Sequence, residues 1–143
     1  MDFLDKRVGV ICNELKKLKV KQVFPLTQWE YKEGSFIYPE DALKDEAAWE
    51  NFDCKTMHWY GKDRHYWFRT TYTVPEELDG KSIWIRISSQ IDEWDDGRNP
   101  QFIVFVNGEV YQGIDMNHRE CLITRSGKAG ETLTIDLQAY TGI

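Results

Sequence analysis

Residues 101–113 read QFIVFVNGEVYQG. Asn107-Gly108 stands between two runs rich in β-branched and aromatic residues. Both central residues of a type I′ turn need positive φ, which Asn and Gly adopt at little cost. The stretch therefore predicts a β-hairpin, and with it an antiparallel sheet. Its first arm is apolar on both sides: Phe102, Val104 and Val106 share one face, Ile103 and Phe105 the other. A strand with one wet face should alternate apolar with polar residues. Either an N-terminal helix or a further domain is expected to cover Ile103 and Phe105, since a wet Phe105 would leave an apolar patch.

The same period of two extends on both sides of the hairpin. Around residues 67–74, Phe68, Tyr72 and Val74 fall on one face with Thr70, while Trp67, Arg69, Thr71 and Thr73 fall on the other. Pro75 stops that strand and EELDG turns the chain. In KSIWIRISS, Ile83, Ile85 and Ile87 face one way; Trp84, Arg86 and Ser88 face the other. Residues 120–124 form another short strand. ETLTIDL closes the set with Leu133, Ile135 and Leu137 inward and Thr132, Thr134 and Asp136 outward. Short strands separated by turn signals, with no long helical pattern between them, indicate a mainly β chain: an antiparallel β-sandwich or barrel.

Upstream the pattern changes. Leu4, Val8, Ile11, Leu15 and Leu18 step by four, three, four and three, which places them on one stripe of a helix. Asp2 can cap its start, and Lys16, Lys17 and Lys19 suit its C-terminal end. An amphipathic α-helix is expected within residues 1–24, docked on a sandwich over 25–143. LTQWEYKEG reads as a short strand. Pro39, at a first helical position with acids behind it, predicts one or two turns of helix inside a long connection.

The chain of 143 residues suits one domain. Its net charge is −6, and a nucleic-acid binder is disfavoured because phosphates call for a basic face. Residues 1–24 are the basic exception, with six Lys or Arg against three Asp or Glu. No stretch approaches the ~20 apolar residues of a membrane span. MDFLDKRVGV lacks the apolar core of a secretory signal, and Cys12, Cys54 and Cys121 form no CxxC pair. Reduced thiols in the cytoplasm are the expectation.

No nucleophile elbow, HExxH, phosphate-cradling glycine loop or paired metal-ligand spacing occurs. No catalytic residue and no metal site are therefore assigned to this chain. A zinc site from Cys54, His58 and His65 is conceivable, but an ordinary turn is preferred. Two polar segments stand out. QIDEWDDGRNP surrounds Trp94 with Asp92, Glu93, Asp95 and Asp96, which suits a solvated loop tip, contact with a sugar or partner, or calcium. GIDMNHREC carries Asp115, Asn117 and His118, which suit a side-chain-stapled turn or a ligand-facing loop. Trp94, Asp95, Asp115, Asn117 and His118 are the candidates for substrate or interdomain contact.

Taken together, WFRTTYTVPEELDGKSIWIRI, FIVFVNGEVYQGIDMNHRECLIT and GKAGETLTIDLQAYTG resemble the β-sandwich that precedes the catalytic domain in α-mannosidases of glycoside hydrolase family 38. The likeness spans roughly residues 57–143, and QGIDMNHRE is its most specific part. It implies a galactose-binding-domain-like jelly roll. It further implies a non-catalytic N-terminal portion of an enzyme that hydrolyses terminal α-mannosides. The family's zinc and nucleophile belong to a later domain opening with a His-x-Asp motif. QIDEW lacks the preceding His, so no catalytic residue carries over. The implied partners are that catalytic domain, its mannoside substrate and, in a homo-oligomer, further copies of the chain. The competing expectations are an autonomous carbohydrate-binding module and a protein-interaction domain working through the basic N-terminal helix.

Overall fold

The structure is a computed structural model that describes residues 3–4, 6–14, 20–54, 56, 57, 59, 60, 63–89, 101–114 and 120–141. Among the described residues, twelve strands and one short α-helix run in the order β1 (Phe3–Leu4), β2 (Lys6–Glu14), β3 (Val20–Pro25), β4 (Gln28–Glu33), α1 (Pro39–Lys44), β5 (Glu50–Asp53), β6 (Trp59–Tyr60), β7 (His65–Thr73), β8 (Ser82–Ser89), β9 (Gln101–Val106), β10 (Glu109–Ile114), β11 (Glu120–Thr124) and β12 (Thr132–Tyr140), with a 3-10 turn at Glu76–Leu78. Six strands form one antiparallel sheet in the order β10-β9-β12-β7-β4-β5, and four form another in the order β11-β8-β2-β3. β1 and β6 make a small separate pair. No helix among the described residues is long and apolar enough to cross a membrane.

The expected hairpin is present. Asn107 has φ 51° and Gly108 has φ 85°, as a type I′ turn requires. The Asn107 side chain also accepts a hydrogen bond from the Thr134 amide at 2.9 Å, tying the turn to β12. Alternation then decides which side chains enter the core. Ile83, Ile85 and Ile87 of the four-stranded sheet join Phe68, Phe102, Val104, Val106, Leu133, Ile135 and Leu137 of the six-stranded sheet in one buried cluster. The two sheets thus share a single core. Tyr31, Phe52 and Phe68 extend it toward the β5 edge, with ring centroids 5.2–5.6 Å apart. Offset and edge-on ring pairs of this kind add to the stabilisation from burial alone.

The expected N-terminal helix is corrected. β2 pairs with β8 on one side and β3 on the other, so this part of the chain is integral to the four-stranded sheet. A boundary at residue 24 would fall inside β3. The register sets Val8, Val10 and Cys12 opposite the inward Ile87, Ile85 and Ile83. Leu4, Val8 and Ile11 do fit a helical stripe, but Val8, Val10 and Ile11 are β-branched and favour a pleated surface. Pairing with β8 and β3 gives the β2 backbone hydrogen-bond partners on both edges, so tertiary context overrides the local period. Leu15 and Leu18, which completed the helical pattern, lie outside the described residues.

The cover over the Ile103–Phe105 face is also settled, and it is neither of the two expected. Residues 34–49, including α1, cross the outer face of the six-stranded sheet as a strap. Ala42, Trp67 and Phe105 form a second buried cluster there, with Phe36 and Trp49 packed against it. The Trp67 and Phe105 centroids are 5.5 Å apart. Phe68 and Trp67 thus fill opposite sides of one strand, as the alternation predicts. Ile103, nearer the sheet end, remains 38% exposed.

Lys32 fastens the strap. Its ammonium donates to Asp45 O at 3.3 Å, Ala47 O at 3.3 Å and Asp45 Oδ2 at 3.4 Å. It also lies 4.8 Å from the Trp49 ring centroid and 5.6 Å from that of Phe36. A buried cation needs such partners to offset its lost hydration. Replacing Lys32 by Ala is expected to cost about 1–2 kcal/mol, below the ~3–5 kcal/mol for breaking a fully buried pair, because Asp45 can turn to water. Amide exchange across residues 36–49 should quicken more than in the sheets; equal effects everywhere would contradict this role.

Candidate functional site

The candidate site is a cleft on the outer face of the six-stranded sheet, beyond the strap. The register aligns His65, Tyr140 and Gln101 in one row across β7, β12 and β9. The next row inward from the sheet end sets Gln138 against Ile103, with Trp67 on its other side under the strap. With Asp63, Phe102 and Ala139 these residues line a cavity of about 390 Å³. That lies within the ~300–1,000 Å³ of small-molecule sites.

Several of its groups are held in place. The Tyr140 and His65 rings lie 4.9 Å apart at 31°. The Tyr140 hydroxyl donates to Asp63 Oδ1, and this bond holds the phenol above its ordinary pKa, with burial adding to the shift. Asp63 has φ 58°, in the left-handed region where Asp and Asn are better tolerated than most residues. Next to it, the Arg64 amide donates to Thr141 Oγ1 at 2.9 Å, and the Thr141 amide to Arg64 O at 2.9 Å, pinning the cleft's rim to the end of β12. Gln138 Nε2 donates to Phe36 O at 2.6 Å, which joins the cleft to the strap.

The residues expected from sequence to make contacts lie elsewhere in the chain. Trp94 and Asp95 fall in 90–100, and Asp115, Asn117 and His118 fall in 115–119; all five are outside the described residues. The described ends of these segments are informative. The first leaves β8 at Ser89 and enters β9 at Gln101, which lines the cleft. The second leaves β10 at Ile114, opposite Phe102, and enters β11 at Glu120, opposite Arg86. Gln112 Nε2 donates to Glu120 O at 2.8 Å, joining the two sheets at that end.

Sequence reasoning missed the cleft row. Gln101 and Tyr140 belong to no motif, and His65 stands out in the sequence only for a zinc site with Cys54 and His58. Among the described residues no three His, Cys, Asp or Glu side chains come together as a metal site. Cys54 is buried, and His65 is turned to Tyr140; His58 lies outside the described residues. Cys121 is buried as well, and burial pushes its thiol up to about 11, so it stays protonated at neutral pH.

A second polar group sits on the same outer face. Asp136 is 2% exposed, and its carboxylate lies 3.8 Å from Arg69 Nη1. Neither Arg69 Nη1 nor the nearby Trp67 Nε1 finds a hydrogen-bond partner among the described residues. Burial pushes the Asp136 carboxyl up to about 6, against the opposing pull of Arg69. The folded value then exceeds the unfolded one, so the folded protein binds more protons between the two. Stability from neutral Asp136 is full below the unfolded pKa and is lost as pH rises through about 6. Asp136→Asn should flatten this part of the stability profile, by on the order of 2 kcal/mol across the window. Thermal unfolding from pH 4 to 7 checks it; an unchanged slope in the variant would show that Asp136 does not titrate there.

Compared with known proteins, the chain finds no match among family models, curated proteins or solved structures.

Proposed function

We propose that the chain is a non-catalytic, galactose-binding-domain-like jelly-roll β-sandwich that accompanies the catalytic domain of a family 38 α-mannosidase. The observation that carries this reading is architectural. The three segments that resemble the family form β7, β8, the β9–β10 hairpin, β11 and β12, all antiparallel and all contributing to one core. A rigid two-sheet body of this kind can brace a neighbouring domain through its loops and edges. Hydrolysis of the terminal α-mannoside, and the zinc it requires, would reside in a catalytic domain beyond these 143 residues.

The reading predicts that the 143-residue chain does not hydrolyse 4-nitrophenyl α-mannoside. The product of the whole gene should do so and should lose activity when zinc is chelated. A gene with no His-x-Asp-bearing domain after residue 143, or a product inert toward α-mannosides, overturns it.

A further inference from the structure

We infer that the cleft lined by Asp63, His65, Gln101, Ile103, Gln138 and Tyr140 binds an uncharged polyhydroxylated ligand, a single pyranose unit of a sugar. The charge of the lining is the first argument. No Lys or Arg lines the cleft. A phosphate or carboxylate ligand would meet Asp63 with no cation to offset it. A single carboxylate is also far short of the ~6–8 oxygens that calcium collects. A hydroxyl suits the lining better, since it donates and accepts at once. Asp63 offers acceptors, while the glutamine amides, the Tyr140 phenol and the His65 ring offer both kinds of group.

Shape and rigidity point the same way. A pyranose is polar at its rim and apolar on its C–H faces. The mutually tilted His65 and Tyr140 rings and the partly exposed Ile103 supply apolar surface beside the polar groups. Tyr140 is held by Asp63, and Gln138 by Phe36 O, so these groups lose little freedom when a ligand arrives. The inference is independent of the α-mannosidase reading. Failure of hydrolysis leaves it standing, and failure of sugar binding leaves the accessory-domain reading standing.

The test is an amide-shift titration of the intact 143-residue chain with D-mannose, D-galactose, D-glucose and L-fucose in turn. At least one sugar should give saturable shifts, with a millimolar Kd, confined to residues 63–65, 101–103 and 138–141. Asp63→Asn keeps a residue that tolerates the backbone, and Tyr140→Phe keeps the ring. Each should weaken binding by roughly fivefold or more, the usual consequence of losing a hydrogen bond to a charged or well-placed group. Gln101→Ala provides a third variant should either of these fail to fold. The proposal is overturned if all four sugars give no saturable shift, if the shifts map away from the cleft, or if folded variants bind as tightly as the parent. It is equally overturned if calcium alone moves these amides while the sugars do not.

Discussion

Replacing Trp67 by alanine is expected to destabilise the protein by about 3–5 kcal/mol, the range for removing a large buried aromatic side chain. Trp67 is fully buried between the six-stranded sheet and the strap. Its loss would leave Ala42 and Phe105 facing a void that the strap cannot fill by small shifts. That penalty is a large part of the ~5–15 kcal/mol by which domains of this size are stable. Urea unfolding should show a much lower midpoint, and Trp67→Phe should recover part of the loss. A loss under about 1 kcal/mol, the usual size for an exposed site, would mean that the strap does not cover this ring.

The second large effect concerns Gly127, in the turn between β11 and β12. Its amide donates to Lys81 O at 2.8 Å, and its carbonyl accepts from the Gly80 amide at 2.8 Å. A Cβ at this position would lie 2.9 Å from Leu78 O and 2.8 Å from Ile83 Cδ1. The isoleucine tip can move, but the carbonyl cannot do so without disturbing the turn before β8. Gly127→Ala is therefore expected to cost about 3 kcal/mol, at the upper end of overpacking effects. Gly130→Ala, where a Cβ meets nothing within 4 Å, isolates the separate cost of a positive φ. If the two substitutions cost the same, crowding by Leu78 O is not the cause.

These two positions mark what local sequence could and could not reveal. The Asn107-Gly108 turn and the alternation of Ile83, Ile85 and Ile87 are properties of a few adjacent residues. They were legible because their chemistry leaves few alternatives. The excess of apolar residues on both sides of QFIVFV also signalled that a cover was needed. The identity of that cover was not legible, because it rests on contacts between Ala42, Trp67 and Phe105 across long stretches of chain. Residues 6–14 show the converse failure. Leu4, Val8 and Ile11 fall on a helical stripe, but the β-branched Val8, Val10 and Ile11 suit the strand that pairs with β8 and β3. The cleft was hidden for a similar reason. His65, Gln101 and Tyr140 are far apart in sequence and meet only through the register of three strands.

The Ala42 methyl group, packed with Trp67 and Phe105, reports directly on the covered face of the six-stranded sheet. Methyl NMR should place that signal well upfield of an exposed alanine, shifted by ring currents. It should give NOEs to ring protons of Trp67 or Phe105. An Ala42 methyl at its random-coil position with no aromatic NOE would contradict the packing of the strap on the six-stranded sheet.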